Sequence, residues 1–181
     1  VSNMAGRGYM IPQDTAVMER VWLFDESGTP VPASNPLNKY STVRKGLEMQ
    51  QISPGTMFGE TVAKKTGRKI LQVVNALGVS NIRSWMKDSP AIKDKCSIGY
   101  DTLQLYSEAV RRAQQAMKYG TLRGILWHQG ESNFGNPQEY RIYLKRLAAD
   151  LRKDLNGRKI PFIAGELGYW QPSHQRFNEM I

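Results

Sequence analysis

The chain has 181 residues, 40% hydrophobic and 23% charged, with a formal net charge of +9. That length fits one domain, 1–181, around a single buried core, and no run approaches the ~18 apolar residues of a membrane span. The one cysteine, Cys96, excludes an internal disulfide; with no histidine beside it, it reads as an inert residue rather than a catalytic thiol.

At the amino end Ser2 is followed by small, glycine-rich chain, Asn3-Met4-Ala5-Gly6-Arg7-Gly8. Such a segment suits a tight turn that exposes a hydroxyl, although taken alone it reads as an ordinary loop. No strand precedes it, so if Ser2 acts chemically the strand that delivers it is expected upstream. Residues 21–25 and 29–32, around Glu26-Ser27-Gly28, suggest a small hairpin or an extended excursion, and Pro30, Pro32 and Pro36 favour irregular chain there. A helix is expected over 57–66, stopping at Gly67.

Residues 69–77 (KILQVVNAL) form a short apolar run bounded by glycines, as a buried strand would. Residues 102–118 follow, with Leu103, Tyr106, Val110, Ala113 and Met117 at helical spacing. Residues 122–127 (LRGILW) predict a second strand. A helix over 138–155 carries the stripe Tyr140, Tyr143, Leu144, Leu147, Leu151 and Leu155. Asn136 suits its N-cap, Pro137 its first turn, Glu139 a capping-box partner and Gly157 its stop. Residues 160–164 (IPFIA) predict a third strand, and 173–181 the start of a helix that ends without a cap. Alternating strands and helices imply a parallel sheet with right-handed crossovers, a three-layer α/β/α domain that looks cut at both ends.

The basic charge invites a nucleic-acid partner. The densest groups, Arg111 with Arg112 and Arg141, Lys145, Arg146, Arg152 and Lys153, are interleaved with acids and apolar residues, as on solvated helix faces. No nucleic-acid partner is therefore expected, and the charge tolerates acidic sugars better than cationic ligands.

Three segments place polar residues directly after apolar strands: Gly78-Val79-Ser80-Asn81-Ile82, Trp127-His128-Gln129-Gly130-Glu131-Ser132-Asn133, and Ile163-Ala164-Gly165-Glu166-Leu167-Gly168. The middle one is the strongest signal, because a core strand has no need of such a cluster. Together they put polar loops on one edge of one sheet, where a ligand crevice belongs. Glycine at a strand end lets backbone N–H groups point at a ligand oxygen. Two histidines and scattered carboxylates make no metal constellation, and Gly6-Arg7-Gly8 lacks the ending of a phosphate loop.

These blocks carry a resemblance. Ser2-Asn3-Met4-Ala5-Gly6-Arg7-Gly8 resembles the Gly-Gln-Ser-Asn-Met block of the SGNH hydrolase superfamily, and more narrowly of carbohydrate esterase family 6 and the sialate O-acetylesterase-like domains. Trp127 to Asn133 resembles their His-Gln-Gly-Glu-Ser-Asp block. Gly78 to Ile82, followed by Trp85, resembles their Gly-Gly-Thr-Ser-Ile…Trp segment. Ser53-Pro54-Gly55-Thr56-Met57-Phe58-Gly59 resembles the Gly-Pro-Gly stretch that opens the first helix. Order and spacing hold over nearly the whole chain.

The resemblance implies an SGNH, flavodoxin-like fold and a serine esterase that removes O-acetyl groups from a carbohydrate such as acetylxylan or an O-acetylated sialic acid. It needs no cofactor. Ser2 matches the nucleophile. Its own N–H, that of Gly78 and the Gln129 amide match oxyanion donors. Glu131 matches an acid that supports the catalytic histidine in some members. Asn3, Met4, Val79, His128 and Asn133 fall on the substrate pocket. A polysaccharide substrate would favour a secreted or periplasmic protein.

The chain departs from the pattern at Val1 for Gln, Val79 for a second Gly and Asn133 for Asp. The Asp-x-x-His block is absent. His128 reads as a structural residue and His174 as a surface one, so the base is expected beyond Ile181. Two rival readings remain: a non-catalytic carbohydrate-binding relative that has lost the histidine, and a nucleic-acid-binding domain.

Overall fold

Strands and helices alternate along much of this chain, and two pairs of its strands run parallel. The computed structural model describes residues 2–44, 46–47, 50–90, 104–157 and 159–181, with the backbone alone for Ser2 and Asn3. Cys96, Thr102 and Leu103 lie outside the described residues.

A short helix, α1 (Ser2–Ala5), opens the structure. β1 (Val21–Phe24) and β2 (Pro30–Pro32) then form the suggested hairpin, paired antiparallel from Trp22 with Pro32 to Phe24 with Pro30. Asp25 closes its turn by accepting from the Thr29 N–H and the Ser27 hydroxyl, both at 2.8 Å. α2 (Pro54–Thr66) ends on Gly67 at φ 65°, a left-handed stop that a glycine adopts without a Cβ penalty. β3 (Ile70–Gln72) returns parallel to β1.

The 69–77 run forms a ladder over only those three residues. Beyond them, side chains replace the neighbouring strand. Asn38, fully buried, donates to the Ala76 carbonyl at 3.0 Å and accepts from its N–H at 2.8 Å. Asn75 Oδ1 accepts from Ser41 Oγ and from the Thr42 N–H, both at 3.0 Å. Backbone groups satisfied in this way need no ladder.

α3 (Leu105–Ala116) leads to β4 (Ile125–His128), and α4 (Pro137–Asp154) to β5 (Phe162–Gly165), parallel to β4 in register from Ile125 with Phe162 to His128 with Gly165. α5 (Pro172–Asn178) follows. The fold is α/β, as expected. The described ladders nevertheless fall in two groups, β2-β1-β3 and β4-β5, rather than in one sheet.

The α4 stripe packs as its spacing predicts, with Tyr140, Leu147, Leu151 and Leu155 buried. Asn136 Oδ1 accepts from the Glu139 N–H at 3.2 Å. The Glu139 carboxylate pairs with Arg83. At the other end Asn156, at φ 52°, takes the left-handed position, and the Gly157 N–H bonds back to the Arg152 carbonyl at 2.8 Å.

α3 departs from its expected stripe. Its buried residues are Leu105, Tyr106, Arg112 and Ala116. Arg112 is therefore not part of a solvated face: it is 1% exposed and donates to the carbonyls of Phe24 at 2.7 Å and Asp25 at 3.2 Å, capping β1. Charge in a sequence marks solvent exposure only where no carbonyl waits for the guanidinium.

Two core clusters underlie the polar loops. One joins Ala5 of α1 and Ala76 and Leu77 of the 73–77 segment to Trp85, Leu105 and Leu147, with Met4 and Trp127 packed against it. The other joins Ile82, Tyr140, Leu167 and Phe177. Each fully buried side chain of this size contributes about 1.5–3 kcal/mol of transfer free energy.

Candidate active site

The amino-terminal segment is held down by backbone. Gly6 accepts from the Gln51 N–H at 3.2 Å, and Gly8 and Ile52 exchange N–H to carbonyl bonds at 3.0 and 3.2 Å. Gly6 has φ 105°, and a Cβ there would meet the Gln51 carbonyl oxygen at 2.1 Å. Only glycine fits. This clamp, with Ala5 and Met4 in the core shared with Leu77 and Trp127, sets where α1 and the Ser2 backbone lie.

The 78–82 turn is built around Ser80, which is 7% exposed. Its hydroxyl donates to the Leu77 carbonyl at 2.9 Å and accepts from Trp85 Nε1 at 2.9 Å. Gly78 is buried, whereas Val79 is 77% exposed and sits at φ 59°. A β-branched residue in the left-handed region is strained. Its side chain therefore projects to solvent beside the glycine that was expected to donate to an oxyanion.

The loop after β4 is tied to that turn. Gln129 is 1% exposed, and its Nε2 donates to the Ser80 carbonyl at 3.0 Å and to Asn133 Oδ1 at 2.8 Å. Asn133 Oδ1 also accepts from the Ile82 N–H at 3.0 Å. Gln129 Nε2 thus donates to two protein oxygens, one in the turn and one in its own loop. Asn133 likewise ties loop to turn. The structure brings the second and third blocks together through side chains whose roles were expected to be toward substrate.

His128 Nε2 donates to the Glu166 carbonyl at 3.1 Å and so joins the loops after β4 and β5. His174, expected at the surface, is 4% exposed. Its Nδ1 donates to the Gly168 carbonyl at 3.0 Å, and its ring packs edge-on against Phe134. Glu131 is exposed on the loop.

Tyr140 is a member of this network that its sequence setting concealed, because a helical stripe reads as apolar packing. Its hydroxyl accepts from Trp127 Nε1 at 3.0 Å and donates to the Gln129 carbonyl at 2.5 Å. Burial, with a smaller contribution from the Glu131 charge, pushes its phenol up to about 12. Ser80 also went unassigned. The signal for both was a polar atom in an otherwise apolar setting, since a buried hydroxyl implies a partner. Among the described residues no group of three or more His, Cys, Asp or Glu side chains is placed to hold a metal ion.

Comparison with known proteins adds to this geometry. The model of the SASA family, described as carbohydrate esterase, sialic acid-specific acetylesterase, matches residues 1–181. The chain is 26% identical to the probable carbohydrate esterase At4g34215 of Arabidopsis thaliana over 183 residues, which is 90% of this chain and 64% of that protein. The chain therefore spans somewhat under two-thirds of that relative's length. The crystal structure of the Arabidopsis thaliana protein superposes with a TM-score of 0.76 at 22% identity, covering 94% of this chain and 66% of the other. The crystal structure of NanS superposes at 0.56 and 18% identity, covering 97% and 66%. At such identities the two structures speak to the fold.

Proposed function

We propose a function from one premise: the chain belongs to the SASA family of carbohydrate esterases. The reaction is hydrolysis of an O-acetyl ester on a carbohydrate. Ser2, giving its proton to a histidine base, attacks the acetyl carbonyl, and its own N–H and that of Gly78 donate to the resulting oxyanion; its collapse breaks the bond to the sugar oxygen, which leaves as a hydroxyl protonated by that histidine, and a seryl ester remains. Preorganised donors of this kind each contribute about 3–4 kcal/mol to the transition state. The seryl ester is then cleaved by water, with a histidine as general base and Glu131 as its acidic support.

One observation carries this reading. The 78–82 turn and the 128–133 loop are fastened to each other by Gln129 and Asn133, while α1 packs into the core beneath both. Three of the four blocks that carry the family pattern thus adjoin one core, which supports this reading. Neither His128 nor His174 is assigned as the base: His128 belongs to the His-Gln-Gly-Glu block, and His174 is 4% exposed beneath Phe134 and Trp170. Met4, Asn3 and Val79 border the acyl group. Gln129, His128 and Asn133 position the loop.

The experiment is hydrolysis of an aryl acetate and of acetylated xylan by the full-length protein. Ser2→Ala is expected to abolish turnover of both while leaving the melting temperature unchanged. Turnover that survives in Ser2→Ala overturns the assignment.

A further inference from the structure

Beside the polar loops lies a group of aromatic rings that the esterase chemistry does not use. Trp170 is 74% exposed, Tyr169 64% and Phe134 39%. Single exposed aromatics are ordinary on protein surfaces, but a gathered patch calls for a ligand.

The rings are held, not loose. His174, buried and anchored on the Gly168 carbonyl, packs edge-on with Phe134 at 5.3 Å between centroids and with Trp170 at 6.2 Å. The six-membered ring of Trp170 lies over the Gly168 Cα: a Cβ at Gly168 would meet three of its ring atoms at 1.9 to 2.4 Å. The ring can lie there only because residue 168 is glycine. The Tyr169 hydroxyl donates to the Glu166 carboxylate, which leaves a polar edge beside the rings. The Glu166 carbonyl, in turn, receives His128. The patch is therefore continuous with the loop that carries Gln129 and Glu131.

We propose that Trp170, with Tyr169 and Phe134 around it, is a stacking platform for a pyranose ring of the carbohydrate that bears the scissile ester. This rests on the esterase reading. A pyranose offers a face of C–H bonds, which the negative face of an indole attracts, and hydroxyls at its rim, which a carboxylate accepts. A ring fixed before binding loses little freedom on contact. An apolar ligand would not match the Glu166 edge, and a nucleic acid would be repelled by it.

The test is calorimetric titration of the full-length protein with two ester-free probes, xylohexaose and N-acetylneuraminic acid. One of them is expected to bind. Trp170→Ala should weaken it about tenfold, a loss of ~1.4 kcal/mol, and Trp170→Tyr should restore most of the affinity. Tyr119→Ser, at an exposed aromatic that packs on Phe24 and the β1–β2 turn, should change nothing. Binding of neither sugar, or unchanged affinity in Trp170→Ala, overturns the platform. So does a shift from dimer to monomer in Trp170→Ala without loss of sugar affinity, which would make the patch a contact between copies. Since the probes carry no ester, the two readings fail separately. Lost affinity in Trp170→Ala with turnover surviving in Ser2→Ala supports the platform and sinks the serine mechanism. The reverse result sinks the platform alone.

Discussion

Gln129 Nε2 stands 3.0 Å from the carbonyl oxygen of Ser80, 49 residues away in the chain, and links the turn after β3 directly to the loop after β4. Because the same nitrogen also donates to Asn133, the side chain acts as a two-point brace.

Replacing that brace separates it from a role toward substrate. Gln129→Leu removes two hydrogen bonds and leaves the Ser80 carbonyl and Asn133 Oδ1 with one donor fewer, at a cost of about 2 kcal/mol. Gln129→Glu faces a carboxylate toward two acceptor oxygens in a buried site and costs more, about 3 kcal/mol. Urea unfolding measures both. If instead Gln129→Leu lowers kcat at unchanged stability, the amide serves the oxyanion and the brace is wrong.

Val79 offers an opposite sign. Its left-handed backbone costs a β-branched residue about 1–3 kcal/mol, and glycine would relieve that at an entropic cost of about 0.5–1 kcal/mol. The side chain is 77% exposed, so little packing is lost. Val79→Gly is expected to stabilise the fold by about 1 kcal/mol. It should also raise the rate on aryl butyrate relative to aryl acetate, since the lost methyls border Gly78. An unchanged butyrate-to-acetate ratio would place Val79 away from the acyl group.

Tyr140 predicts an alkaline limit. Its phenol is raised from 10.0 to about 12 by burial first and the Glu131 charge second. The folded state thus holds the proton more tightly than the unfolded one. The stabilisation is complete below pH 10 and is lost as pH rises from 10 through 12, to an extent of about 2–3 kcal/mol. Tyr140→Phe, less stable at pH 8 for want of the Trp127 and Gln129 bonds, should close much of the gap to the parent by pH 11.5. Melting temperatures of the two proteins across that range decide it; a constant gap refutes the assignment.

Asn38 tests how the 73–77 segment is held. Its side chain satisfies both backbone groups of Ala76 inside the core. Asn38→Leu leaves that N–H and carbonyl buried without partners, at about 2–4 kcal/mol. Hydrogen exchange at Ala76 should accelerate with it. An unchanged rate would mean that another group takes over.

Local order was legible in the residues themselves. The α4 stripe and its Asn136 cap, the Gly67 stop and the β1–β2 hairpin came from periodicity and turn chemistry, which act over a few residues. The polar strand tips were legible for the same reason, because they interrupt an apolar pattern. What no local pattern carries is the partner of a polar group across the fold. Arg112 is buried because the carbonyls of Phe24 and Asp25 stand 88 and 87 residues away from it in the chain, ready to accept. His174 is interior because Gly168 and Phe134 enclose it. Gln129 turned inward for the same cause. Hydrogen bonds are directional and short, so which oxygen meets which donor was settled only when the α/β layers packed.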